Sequence, residues 1–408
     1  MNLLRLAWRY LSARPLNTVL NLILLGLGIA MITLLTILNK QLEENISKNA
    51  RGIDLVVGAK GSPLQLILCN IFHIDFPTGN IPLIEAERIA RNRLVKNAIP
   101  LALGDSYQGF RIIGTVPAYG QYYGAEVAEG KWFGEEMEVV LGARVAEALK
   151  WKVGKEFESV HGLSDGGHAH DEAKFVVTGI LASTGTVVDN LILCDVPSIW
   201  HVHGAHETET TDSLATASKL IPGVSIQDST TEITSMLIQY RSAMGAVQMP
   251  RWVNSQSNLQ AASPAFEIAR LFSILGTGIA LLSAFAYILI FVSALSIFIA
   301  LYNSMKERRY DIAIMRSMGS SRSKVFGLMI VEGVCLTTMG AAAGILLGHL
   351  LVAIASSFIP DGSALSATIF YPEEVQIFIL ALLLGVACSV LPAIQAYRTD
   401  ISKTLSRQ

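Results

Sequence analysis

The stretch NSMKERRYDIAIMRSMGSSRSK, residues Asn303–Lys324, decides how the rest of the chain is arranged. It is the only long polar segment with an apolar run of membrane-spanning length on each side. Six of its residues are basic (Lys306, Arg308, Arg309, Arg316, Arg322 and Lys324) against two acids, Glu307 and Asp311. A short loop rich in Lys and Arg stays on the cytoplasmic side, so this bias sets the loop inside, and the remaining topology follows. Within it Tyr310, Ile312, Ala313, Ile314 and Met315 alternate with charge as a short amphipathic helix would. Gly319, followed by Ser320 and Ser321, would end that helix. The result is a compact apolar face rimmed with cations, suited to a protein groove or to the inner leaflet.

Composition bounds the class. A chain of 408 residues that is 51% hydrophobic and 16% charged, with a mean hydropathy of +0.46, is too apolar for an ordinary soluble protein and too polar to be all membrane. Its net charge of −2, with basic residues beside apolar segments and no continuous basic face, argues against a nucleic-acid partner. Cys335 and Cys388 lie in apolar runs, which leaves Cys69 and Cys194 as the pair able to bridge outside the membrane, though nothing in the spacing requires it.

Residues 1–16 carry Arg5, Arg9 and Arg14 and no acid, as a cytoplasmic end should. Asn17–Leu38 then reads as an uncleaved first span, since its 22 residues at about 1.5 Å each cover the hydrocarbon core. From 39 to 270 the composition is that of a folded domain outside the cytoplasm. Strands are expected at Ile53–Val57, Phe110–Val116, Glu138–Leu141, Phe175–Leu181 and Asn190–Cys194, and helices at Ile84–Lys96, Ala143–Lys150, Thr208–Leu220 and Thr231–Ala246. The second span, 271–301, is longer than a bilayer needs and so tilts or stands out as a stalk. The basic polar loop occupies 302–324. The third span, 325–359, contains Glu332 and His349 and a series of small residues (Gly340, Ala341, Gly344, Gly348) that lets helices approach closely. An acidic outside loop (360–374), a fourth span (375–397) and a basic cytoplasmic end (398–408) complete the chain. The expected fold class is therefore four transmembrane α-helices in a one-plus-three layout, with a large α+β periplasmic domain between the first and second.

The run KERRYDIAIMRSMGSSRSKVFGLMIVEG (306–333) resembles the signature of the FtsX/MacB superfamily of ABC transporter permeases, with its charged pair, its Ile-x-x-Met/Leu-Arg-x-x-Gly segment and a glutamate just inside the third helix. The outside domain is similar as well, in FRIIGTVPAYG (110–120), EVVLGARVAEALKWKVGKEF (138–157) and FVVTGILASTGTVVDNLILCDVPSI (175–199). What the resemblance implies is a type VII ABC permease of the bacterial inner membrane. Two such chains pair, as a homodimer or with a relative, and each docks a separate ATPase that holds ATP and Mg²⁺. ATPase closure travels through the long helices to the periplasmic domains. In that picture Lys306, Glu307, Arg308, Arg309, Tyr310, Ile312, Ile314, Met315, Arg316, Met318 and Gly319 form the ATPase-coupling segment, and the outside domain has two lobes, the inserted one at about 119–206. A lipoprotein or another periplasmic protein is the implied further partner.

Catalysis is not expected in this chain. The segment starting at Gly58 lacks the spacing and the lysine of a phosphate loop, and no HExxH or nucleophile elbow occurs. Glu332 reads as a helix-packing or interface carboxylate rather than a proton relay, and His349 as an interhelical hydrogen-bonder. Six further histidines fall in two clusters, His161, His168 and His170 within HGLSDGGHAHDE, and His201, His203 and His206 within WHVHGAHETE. His-x-His sets two imidazoles on one side of an extended chain, and the neighbouring acids could complete a site for Zn²⁺; solvated polar loops are the alternative. Beside an ATP-driven permease, the composition leaves two other functions open, a non-transporting regulator of periplasmic enzymes and a metal-sensing membrane protein.

Overall fold

The computed structural model describes residues 3–161, 169–203, 216–226, 231–358 and 365–398. The chain divides into two compact units, Met1–Glu44 with Ile274–Gln408, and Asn45–Ser273. The described helices are α1 (Leu3–Ser12), α2 (Pro15–Asn49), α3 (Pro63–Asn70), α4 (Leu83–Ala90), α5 (Pro117–Tyr122), α6 (Ala143–Leu149), α7 (Val196–Val202), α8 (Ala243–Gln256), α9 (Pro264–Glu307), α10 (Arg309–Ser317), α11 (Arg322–Ser357) and α12 (Pro372–Tyr397). The strands are β1 (Leu55–Ala59), β2 (Ile81–Pro82), β3 (Val95–Tyr107), β4 (Phe110–Thr115), β5 (Val127–Gly130), β6 (Glu138–Leu141), β7 (Glu156–His161), β8 (Ala169–Leu181), β9 (Leu191–Asp195), β10 (Thr216–Ala217), β11 (Ser225–Ile226), β12 (Glu232–Ile233), β13 (Ser235–Tyr240) and β14 (Leu259–Ala262).

In the second unit a ten-stranded sheet runs β14-β1-β13-β3-β4-β9-β6-β8-β5, with β7 beside β3 and β8. It is mixed: β4–β9 and β6–β8 are parallel and the other pairs antiparallel. Apolar residues alternate between two cores. Leu55, Val57, Ile192 and Cys194 pack beneath α4, α7 and α8, whereas Val56, Leu191 and Leu193 pack with Leu66 and Ile67 of α3 and Tyr119 of α5. Strands covered on both faces need no polar side, which is why β1 and β9 read as continuous apolar runs.

Two-sided burial also corrects the expectation of a helix over Thr231–Ala246. Glu232–Ile233 and Ser235–Tyr240 are strands, with Met236 and Ile238 in one core and Leu237 in the other, and the helix starts only at Ala243. A short apolar run fits a covered strand as well as a helix, and pairing with β1 and β3 selects the strand. The helix expected over Ile84–Lys96 stops at Ala90, because Val95 already begins β3. Of the helix expected over Thr208–Leu220, Thr216–Ala217 is a strand paired with β11, and its first half lies outside the described residues.

In the first unit α2, α9, α11 and α12 are each long and apolar enough to cross a membrane. The 44 residues of α9 make an unbroken helix of about 66 Å, twice the hydrocarbon thickness. Glycines set how closely the helices meet. A Cβ on Gly344 would lie 2.7 Å from the Gly26 carbonyl of α2, and one on Gly333 2.9 Å from the Gly385 carbonyl of α12. The basic leading segment is not featureless: α1 packs against α11, burying Ala7 and Leu11 while Leu4 and Trp8 stay exposed. All four cysteines are free thiols, and Cys69 and Cys194 belong to opposite faces of the sheet.

Candidate functional site

The segment between α9 and α11 is built by three local devices. Arg308, at φ −92° and ψ 13°, breaks the long helix and opens α10. Gly319, at φ +94°, closes it in the left-handed conformation that favours glycine, and the Ser320 amide donates back to the Met315 carbonyl at 3.0 Å. Ser321 then caps α11, its hydroxyl accepting from the Lys324 amide.

The helix so formed has two distinct faces. Ala313 is buried, and Ile312 is buried with Met305, Val325, Met329, Ala393 and Ala396, so α10 is braced by the ends of α9, α11 and α12. Ile314, Met315 and Arg316 are half-buried. Lys306, Glu307, Arg309, Tyr310, Met318 and Gly319 are exposed, Met318 at 82%. Of the apolar residues expected to anchor a partner, Ile312 therefore faces inward, and Tyr310 and Met318 carry the accessible apolar surface.

Arg308 departs from the expected rim of surface cations. Its side chain is buried, with Nη1 at 3.5 Å from both carboxylate oxygens of Glu332 on α11. Its guanidinium lies 3.7 Å from the Tyr10 ring centroid, and Nη2 donates to the Tyr10 carbonyl at 3.5 Å. Glu307 pairs with Arg14, so two adjacent residues tie this joint to the leading helices. A buried carboxylate needs such a partner, and Glu332 receives it from the loop rather than from another span.

His349 lies near the opposite end of α11. Its Nδ1 is 2.7 Å from the Ala367 carbonyl and its Nε2 2.7 Å from Glu374 Oε2. Of the histidine clusters, the side chains of His161 and His170, and all of His168 and His206, lie outside the described residues. His201 stands 3.7 Å from Glu136, and His203 stands 3.4 Å from the buried Asp105. Among the described residues no group of three or more His, Cys, Asp or Glu could hold a metal ion, so the part of the zinc expectation that falls on His201 and His203 finds no ligand set there.

Sequence reasoning missed one joint in the outer unit. The Asp189 carboxylate accepts from the Ser183 hydroxyl (2.9 Å), the Thr184 amide and hydroxyl (2.8 Å each) and the Gly185 amide (2.9 Å), folding the Ser-Thr-Gly turn around itself. Two residues earlier, the Val187 amide donates to Oδ1 of Asn49 at 2.9 Å, and Tyr123 Oη donates to the Asn49 carbonyl at 3.2 Å. Asn49 is the last residue of α2, so the turn is tied to the end of that helix. The only signal available in sequence was the Thr-Gly motif and its following aspartate.

Comparisons with known proteins agree with this architecture. The model of the MacB-like periplasmic core domain matches residues 18–236, more than half of the chain, and that of the FtsX-like permease C-terminal region matches 283–401. The macrolide export ATP-binding/permease protein MacB of Vibrio parahaemolyticus is 28% identical over 127 residues, covering 31% of this chain and 19% of that relative. Its counterpart from Shewanella oneidensis is 27% identical over 128 residues, again covering 31% and 19%. The chain thus matches about a fifth of the length of these curated relatives. Among solved structures, the periplasmic region of MacB from Actinobacillus actinomycetemcomitans aligns over 55% of this chain and 97% of its own, at 12% identity and a TM-score of 0.35. The one-plus-three helix layout, the mixed-sheet domain between the first two spans and the two family matches together establish that this chain belongs to the FtsX/MacB family of type VII ABC transporter permeases.

Proposed function

We propose that the chain is the permease subunit of an ABC transporter in the bacterial inner membrane, with the α10 end and both termini cytoplasmic and the sheet domain periplasmic. A dimeric ATPase binds α10, and nucleotide closure is passed along α2 and α9 to the outer domain, where it moves a lipoprotein, a lipid or another periplasmic partner. A second copy of the permease completes the assembly, and the outer domain works as two lobes, with about 119–206 as the inserted one.

The observation that carries this reading is the two-faced setting of α10. Tyr310 and Met318 are free to enter a partner's groove, while Ile312, Ala313 and Arg308 brace the helix on the spans. A push on the outer face then cannot be absorbed locally. That α2 and α9 are each a single continuous helix supports this reading. The test is affinity purification of the tagged full chain from its source membranes: an ATPase should accompany it and be lost when Tyr310 and Met318 are both changed to Glu. Recovery of no ATPase with the unmodified chain would sink the proposal, as would labelling of a cysteine at Met318 by a membrane-impermeant reagent applied from outside the cell.

A second reading concerns metal. The strand that carries His161 pairs with β3 at Asp105, whose carboxylate lies 3.4 Å from His203, so the backbones of the two histidine-bearing segments meet at one strand. This supports a Zn²⁺-responsive outer domain, which calorimetric titration of the full chain in detergent tests; absence of binding tighter than about 10 μM removes it.

A further inference from the structure

His349 is placed so that both ring nitrogens face acceptors. Nδ1 meets the Ala367 carbonyl and Nε2 meets the Glu374 carboxylate, each at 2.7 Å, with the Phe370 ring covering the imidazole at 4.3 Å. A neutral imidazole has one N–H, a carbonyl can only accept, and an ionised carboxylate can only accept. The arrangement therefore needs two protons on the pair: one on Nδ1, and one between Nε2 and Glu374. The other carboxylate oxygen of Glu374 is already occupied, accepting from the Tyr371 amide at 2.9 Å.

The same few residues hold α2. Gln41 donates to the Ser366 carbonyl at 2.6 Å and accepts from the Ser366 amide at 2.8 Å, one residue before Ala367. Lys40 pairs with Glu373 at 3.0 Å, and the Tyr371 hydroxyl lies 3.4 Å from Glu44. The segment leading into α12 is thus a strap, tied on one side to α2 by Gln41 and Lys40 and on the other to α11 by His349. The titratable groups around the imidazole are Glu374 and Glu373 on α12, Tyr371 at its cap, and Lys40 and Glu44 on α2.

We propose that the His349–Glu374 pair is a proton-binding site at the outer end of the bundle, and that its occupancy decides whether the strap links α2 to α11. The proton comes from water on that side and sits between Nε2 and the carboxylate, leaving Nδ1–H to hold Ala367. When it leaves, the single remaining N–H stays with the charged carboxylate, Nδ1 turns a lone pair toward the Ala367 carbonyl, and that link opens. The strap is then held by α2 and α12 alone. This deepens the proposed function, since it rests on α2 being a lever, but the proton count does not depend on an ATPase partner.

The experiment uses the full chain in lipid nanodiscs, labelled with ¹⁵N-histidine and assigned with His349→Gln. At the acid end of a pH series the pair should show two protons, either as two ring N–H groups or as one N–H with a carboxylic acid C=O band that Glu374→Gln removes, and one of the two should be lost toward the alkaline end. A neutral imidazole facing an ionised Glu374 throughout that range overturns the proposal. Amide exchange of residues 365–371, corrected for its intrinsic pH dependence, should rise by up to about tenfold per pH unit in the parent and stay flat in His349→Gln. Equal slopes in both would overturn the link between proton and strap. If the proton count holds while no ATPase associates, the lever reading fails and the proton site stands.

Discussion

Arg308 and Glu332 face each other in the interior of the helix bundle, 24 residues apart in sequence, with Nη1 at 3.5 Å from both carboxylate oxygens. The pair joins the start of α10 to α11, and Tyr10 closes it from α1. Removing one partner leaves the other buried and charged. Arg308→Ala and Glu332→Ala should each destabilise the bundle by about 3–5 kcal/mol, whereas Arg308→Met with Glu332→Leu should lose markedly less. Thermal unfolding in detergent, set out as a double-mutant cycle, measures this; additive losses would mean the two side chains do not interact.

The outward and inward faces of α10 should separate binding from stability. Tyr310→Ala with Met318→Ala should weaken ATPase association by about tenfold or more and leave the unfolding temperature unchanged, because exposed truncations cost little folding energy. Ile312→Ala should instead lower stability by about 2–5 kcal/mol, since its side chain is buried among Met305, Val325 and Met329. Binding titrations alongside thermal melts distinguish the two outcomes.

The seam between α2 and α11 tolerates no added bulk. A side chain on Gly344 would meet the Gly26 carbonyl at 2.7 Å and the Ile29 Cβ at 2.8 Å, so Gly344→Leu should cost at least about 1–3 kcal/mol or separate the helices. Gly276 on α9 has open space around its would-be Cβ, and Gly276→Ala should be neutral or stabilising by about 0.5–1 kcal/mol. The melting temperature should fall in Gly344→Leu and hold or rise in Gly276→Ala.

Outside the membrane, His73 sets a pH dependence. Burial, reinforced by the Arg111 charge, pushes its imidazole down to about 3, while Nε2 stays 2.9 Å from Tyr119 Oη. Between about pH 3 and about pH 6.5 the unfolded chain therefore binds a proton that the folded one does not, and stability rises with pH across that window. His73→Gln should flatten that part of the profile. An unchanged slope between about pH 4 and about pH 6.5 in thermal melts of that variant would refute the assignment.

Asn49 offers a test of transmission. Asn49→Ala removes the acceptor for the Val187 amide while leaving α10 untouched. On the proposed function, ATPase association should persist, and stimulation of ATP hydrolysis by the permease should fall several-fold or more. Wild-type stimulation in Asn49→Ala would exclude this joint from the path.

Much of the fold was legible because it depends on local composition. The spans, Pro82 ahead of α4, the strand Glu138–Leu141 and the glycine that ends α10 are each specified within a few residues by hydropathy, β-branched runs or turn chemistry. The misread segments share one cause. Ser235–Tyr240 is covered on both faces, so its period was hidden, and Val95–Tyr107, with Pro100 and Gly104 inside it, lacks the look of a strand until β13 and β4 flank it. The basic loop and its short helix could be located in sequence, but not which of its cations point inward.

The sequence by itself determined that four apolar helices alternate with a basic loop and a polar domain, because hydropathy and charge bias act on each segment independently of its neighbours. Only the tertiary structure decided that Arg308 meets Glu332 and Tyr10, that Asn49 is gripped by the Val187 turn, and that His349 lies between Ala367 and Glu374. Some of these partners lie more than a hundred residues apart in the chain, and a buried polar group is satisfied by whatever packing brings to it, which no local pattern encodes.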